Sequence, residues 1–82
     1  MKYQALINSG KVKARLEEDY SLLINPHTGK HDIMGFTLKV MMNGKYVMQP
    51  IGREQEANGF NAEKLVEELI ERLLAGEGQP IL

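Results

Sequence analysis

Apolar side chains recur at every second position along two long stretches of the chain. In residues 11–24 the even positions hold Val12, Ala14, Leu16, Tyr20, Leu22 and Ile24, interrupted by Glu18, while the odd positions include Lys11, Lys13, Arg15 and Asp19. In residues 30–42 the same parity sets Met34, Phe36, Leu38, Val40 and Met42 against Gly35, Thr37 and Lys39. Successive side chains of a strand point to opposite faces, so each stretch reads as a β-strand with one apolar face. The run Glu17-Glu18-Asp19 interrupts the first of them and marks a bulge or a break into two shorter strands.

Turn chemistry separates these stretches from their neighbours. Gly10-Lys11 follows Asn8-Ser9, Gly29-Lys30 follows Asn25-Pro26-His27-Thr28, and Gly44-Lys45 follows Asn43. Each glycine can supply the positive φ that tight hairpins need. Segments 2–8, 11–24, 30–42 and 45–51 are therefore expected as strands of an antiparallel meander. A two-residue Ser9-Gly10 turn would face Ile7 with Val12 and Tyr3 with Leu16. For the third turn a three-residue loop, Met42-Asn43-Gly44, is preferred over a two-residue Asn43-Gly44 turn. It pairs Val40 with Tyr46, Leu38 with Met48 and Phe36 with Pro50, and so brings Tyr46 and Met48 to the apolar face. Pro50 suits an edge strand, since it has no N–H to donate.

The periodicity changes after the polar stretch GREQEANG. Ala62, Leu65, Val66, Leu69, Ile70, Leu73 and Leu74 line one side of a 3.6-residue repeat, with Glu63, Lys64, Glu67, Glu68, Glu71 and Arg72 opposite. Asn61 is a natural N-cap, Phe60 and Leu65 are placed for a hydrophobic staple, and Gly76 is placed as the residue just past the helix end. These signals predict a helix over 62–75 and a loose tail over 77–82. The expected fold is α+β: a single domain over 1–76, with a four-stranded antiparallel meander, five-stranded if segment 11–24 splits, and a C-terminal amphipathic helix packed on one face.

Composition restricts the classes of function. The chain has 82 residues, 43% hydrophobic and 26% charged, as expected of an ordinary small globular domain. It has no cysteine, which excludes disulfides, thiolate catalysis and cysteine-ligated metals and suits a reducing, cytoplasmic location. No apolar run is long enough for a membrane span, and the first residues lack the apolar core of a secretory signal. The net charge of −1 conceals an asymmetry: residues 1–53 carry +4 and residues 54–82 carry −5.

Candidate chemistry is sparse. NPHTGKHD, residues 25–32, holds both histidines, but Pro26 and Gly29 deny it the helix that would align His27 and His31 on a metal, and a third ligand is lacking. The Gly-Lys pairs lack the Ser/Thr and the following helix of a phosphate loop. No serine lies in a nucleophile elbow, and neighbouring carboxylates on a strand diverge. No catalytic residue, cofactor or metal is expected. Two surface readings remain. Lys13, Arg15 and Lys39 share the face away from the helix and could track phosphates of nucleic acid, although parity places the aromatic rings on the other side and leaves no stacking platform. Met41, Val47 and Ile51, assigned with Ile33 to the same outer face, intersperse apolar groups among those cations, and five methionines supply adaptable contacts. The favoured expectation is a non-enzymatic protein that binds another protein or a second copy of itself through Lys13, Arg15, Lys39, Met41, Val47 and Ile51. Nucleic-acid binding is the alternative, and no membrane association is expected.

Overall fold

The computed structural model describes residues 2–57, 59 and 61–81. Among these, the chain runs α1 (Gln4–Asn8), β1 (Val12–Asn25), β2 (Lys30–Met42), β3 (Lys45–Gly52), α2 (Arg53–Ala57), α3 (Ala62–Leu74) and β4 (Gln79–Pro80). The strands form one antiparallel sheet in the order β1-β2-β3-β4, with α3 packed on one face. The α+β meander with a C-terminal helix is thus present, but its fourth strand is not the one expected.

Segment 2–8 is a helical turn rather than a strand. Tyr3, Leu6 and Ile7 fit the spacing of a helix as well as Tyr3, Ala5 and Ile7 fit that of a strand, and so short a run leaves the period undecided. In the fold the i, i+3, i+4 set packs against the core. Ser9 N–H donates to Ala5 O, Ser9 Oγ donates to Leu6 O, and Gly10 leaves the turn at φ 80°. The N-terminal end is tied to α3: Lys2 N–H donates to Glu67, and Lys2 Nζ and Tyr3 OH both donate to Glu71 at 3.2 Å.

The missing strand is replaced from the other end. Residues 77–82 were expected as a loose tail, yet Gln79 and Pro80 pair with Tyr46 and Lys45, and Ile81 N–H donates to Gly44 O at 2.8 Å. The reversal starts at the end of α3. Gly76 N–H donates to Leu73 O and Glu77 N–H to Arg72 O, the paired bonds of a Schellman motif, which aim the chain back along β3. At the other end Asn61 Oδ1 accepts from Lys64 N–H at 3.0 Å, as a helix N-cap should. The staple and core position expected of Phe60 lie outside the described residues.

The β2–β3 register corrects a second expectation. Asn43 and Gly44, at φ 53° and 76°, form a two-residue turn between Met42 and Lys45, so Val40 faces Val47, Leu38 faces Gln49 and Phe36 faces Ile51. Both central residues are left-handed, the geometry that Asn-Gly favours and that matches the twist of the flanking strands. Segment 45–51 carries apolar residues on both parities, so alternation could not decide and turn chemistry did. Val47 and Ile51 therefore enter the core with Val12, Leu38, Val40 and Met42, against Val66, Leu69, Ile70 and Leu73 of α3. Tyr46 and Met48 turn to the outer face. Pro50 lies on the stretch of β3 beyond β4, where among the described residues no ladder partner needs an N–H.

β1 is one continuous strand, but its pairing with β2 slips at Asp19/Tyr20 and again between Tyr20 and Ile24. The first slip falls at the end of the expected Glu17-Glu18-Asp19 interruption.

Candidate functional site

The length of the elements decides what the core can cover. Thirteen helical residues at ~1.5 Å each span about 20 Å, whereas fourteen strand residues at ~3.3 Å each span about 46 Å. The molecule is 45 Å long. α3 lies over β2 and β3 near the Asn43-Gly44 end, and the opposite end of the β1–β2 hairpin extends past it as an arm. Leu16, Tyr20, Leu22, Ile24 and Met34 have the parity of core residues, but all of them are exposed. Alternation correctly reported one apolar face. It carried no information about how far the cover reached, although the ratio of helix to strand length did.

Two leucines are exposed for an additional reason. Three residues of β1, Ser21 to Leu23, stand opposite Asp32 alone. Ser21 substitutes for the lost ladder: its Oγ donates to Leu23 O at 2.7 Å and accepts from Asp32 N–H, and its carbonyl accepts from His31 Nδ1 at 2.8 Å. Strand pairing continues on both sides of this bulge, and Leu22 and Leu23 are 96% and 82% exposed at its apex. Tyr20, Ser21, Leu22, Gly29, Lys30 and His31 line a shallow, mainly apolar groove of about 680 Å³ on the arm.

The arm ends in the NPHTGKHD loop. Asn25 organises it: its carbonyl accepts from Thr28 and Gly29 N–H, its Oδ1 from His27 N–H at 2.8 Å, and its Nδ2 donates to Asp32. His31 is engaged with the bulge and His27 stands at the exposed tip, so the two rings serve different parts of the loop. Among the described residues no three ligand-type side chains come together as a metal site.

Of the expected contact residues, Lys13, Arg15, Lys39 and Met41 do share the outer face, while Val47 and Ile51 are buried beneath α3 and are withdrawn from it. The face is also less basic than expected. Arg15 lies opposite Lys39 and reaches Glu17 at 3.6 Å on its own strand, and Asp19 accepts from Thr37 Oγ1 at 2.7 Å. The face is not devoid of aromatics either. Tyr46 lies on it, but Lys39 Nζ covers the ring at 4.6 Å from its centroid. On the inner face, the Tyr20 hydroxyl donates to the Glu18 carboxylate. That bond, with some desolvation and the nearby negative charge, raises the phenol above its ordinary pKa.

A cleft between β3 and α3, about 260 Å³, is lined by Gln49, Pro50, Ile51, Gln55, Asn61, Lys64, Leu65 and Glu68. Its two charged groups, Lys64 and Glu68, stand one helical turn apart and both are exposed. No helix among the described residues is long and apolar enough to cross a membrane. Comparison with protein-family models, curated proteins and solved structures finds no match.

Proposed function

We propose that this is a small non-enzymatic protein that acts by associating with protein, through the uncovered hairpin arm and the sheet that carries it. The observation that supports this most directly is the exposure of Leu22 and Leu23, 96% and 82%, on a bulge held by three hydrogen bonds rather than on a loose loop. Scattered apolar groups need no explanation on a surface. Leu16, Tyr20, Leu22, Leu23, Ile24 and Met34, all exposed on the one hairpin, with Tyr20 and Leu22 lining a shared groove, do, because apolar patches mark contact surfaces. The cysteine-free composition fits a reducing compartment, the cytoplasm being the natural one.

The experiment replaces Leu23 by a photo-crosslinking amino acid. The reading expects an adduct with protein, either a second copy or a defined partner, that is lost when Leu22 is changed to Ser. A probe that reacts only with solvent at every protein concentration would refute it. Nucleic-acid binding is a second reading, favoured by the shared placement of Lys13, Arg15, Lys39 and Tyr46. It predicts a salt-dependent complex with single-stranded RNA or DNA that Lys13→Glu, Arg15→Glu and Lys39→Glu together abolish. Glu17 and Asp19 on the same face weigh against it, as does the Lys39 side chain over the Tyr46 ring.

A further inference from the structure

β1 is the outer strand of the sheet, and among the described residues no strand lies beyond it. The turn at Asn43-Gly44 fixes which of its backbone groups are unpaired. Met42 and Lys45 close that turn as a hydrogen-bonded pair, so by alternation the even residues of β2 bond to β3 and the odd ones to β1. Through Lys13↔Met41, Arg15↔Lys39 and Glu17↔Thr37, the odd residues of β1 are then bonded to β2. The N–H and C=O groups of Ala14, Leu16 and Glu18, all exposed, point outward along an open edge that begins beyond the buried Val12, the arrangement that templates pairing with another strand.

The sequence along this edge is self-complementary. Laid antiparallel to itself with Leu16 opposite Leu16, it sets Lys13 opposite Asp19, Arg15 opposite Glu17, Ala14 opposite Glu18 and Val12 opposite Tyr20. A twofold axis generates each charged pair twice. These pairs fall at positions without ladder hydrogen bonds, where opposed Cα atoms approach to ~4.5 Å and side chains are closest. The register is also discriminating. A slip of two residues in one direction puts Glu17 opposite Glu17, and in the other it puts Arg15 opposite Arg15. Within one chain Lys13 faces Met41 and has no ion pair among the described residues, and Arg15 faces Lys39 across the ladder and reaches a carboxylate only along its own strand, Glu17 at 3.6 Å.

We infer that the chain forms a twofold homodimer in which β1 pairs antiparallel with β1 of a second copy, Leu16 meeting Leu16 on the axis and Lys13 and Arg15 meeting Asp19 and Glu17. The inference rests on the reading that the protein acts by association, and names its partner as a second copy. Two four-stranded sheets become one continuous sheet with an isologous contact. On the inner face the half-exposed Leu16 side chains cover each other. The same register carries the arm beyond Tyr20 past the start of the other copy's β1 and toward its α1.

The test combines two charge-reversed variants, Lys13→Glu with Arg15→Glu, and Glu17→Lys with Asp19→Lys. Each alone presents like charges to its own copy, and its self-association, followed by sedimentation, should weaken by roughly 10- to 1,000-fold as four cross-strand ion pairs are lost. Mixed in equal amounts, the two should form a heterodimer of wild-type affinity. The absence of cysteine permits a second measurement. Leu16→Cys should oxidise to a disulfide dimer, since opposed hydrogen-bonded residues lie ~5.5 Å apart at Cα, within disulfide range. Ala14→Cys, whose counterpart faces Glu18, should not. Charge-reversed variants that dimerise like the wild type, no recovery on mixing, or equal crosslinking at 14 and 16 would each overturn the inference. Failure of the broader reading looks different. If β1 pairing is wrong but the protein still associates, the Leu23 probe keeps its protein adduct; if association itself is wrong, the wild type stays monomeric and that adduct is absent.

Discussion

Leu22→Ser separates folding from association in one substitution. Complete burial of a leucine stabilises by about 1.5–3 kcal/mol. Leu22 keeps 96% of its surface in the single chain, so almost none of that contribution belongs to the monomer, and the variant should hold monomer stability within about 0.5 kcal/mol of wild type. A twofold assembly that covers the arm would bury the side chain twice. Its loss then costs up to about 3–6 kcal/mol of association, or roughly 100- to 10,000-fold in Kd, scaled down by whatever fraction stays wet. Urea unfolding at a concentration below dissociation reads the first quantity, and sedimentation over a concentration series reads the second. The assignment fails if monomer stability falls by more than about 1 kcal/mol, which would mean that the bulge packs inward in solution. It fails equally if the dissociation constant does not move.

Other substitutions test the frame that holds the arm. Asn61→Ala removes the acceptor of Lys64 N–H and should cost about 1 kcal/mol by denaturant unfolding, with Asn61→Asp close to neutral. Gly78→Ala should cost at least ~1 kcal/mol, because φ is +114° there and the added Cβ would meet Leu73 Cδ2 at 2.8 Å and Tyr46 O at 3.0 Å. The loss should appear as faster amide exchange at Ile81, whose N–H bonds across to Gly44. The raised Tyr20 phenol sets a sign at high pH. A group whose folded pKa lies above its unfolded one adds stability that is complete below the unfolded value, near 10, and is lost as pH rises through the folded value. In absorbance titration Tyr20 should therefore ionise late, and Glu18→Gln should lower its pKa toward the ordinary range by removing the accepting charge.

Residues that answer to one local rule were legible in the sequence. Asn61 and Gly76 end α3 where cap chemistry put them, Gly29 turns the hairpin, and the parity of 30–42 chose the core face of β2. The errors arose where two rules fitted equally. Residues 2–8 satisfied both periods, and the fold adopts the helical one, with Tyr3, Leu6 and Ile7 packed against the core and Lys2 and Tyr3 tied to Glu67 and Glu71 of α3. Residues 45–51 were apolar on both faces, and the left-handed Asn43 chose for them, sending Val47 and Ile51 inward and Tyr46 outward. The arm was hidden for a different reason: no local pattern states whether a partner layer is long enough to cover a strand. The charge order Lys13, Arg15, Glu17, Asp19 was visible from the start. It acquires meaning only once β1 is known to lie at an open edge rather than between two strands.

The most direct test of the account is the solution mass of the unmodified chain, measured by sedimentation equilibrium from dilute to concentrated protein. Association through β1 predicts a weight that rises from the 9.3 kDa of one chain to a plateau at twice that value, with no larger species, because a twofold contact closes on itself. A mass fixed at one chain over the whole range, or one that climbs past two chains without a plateau, would contradict it.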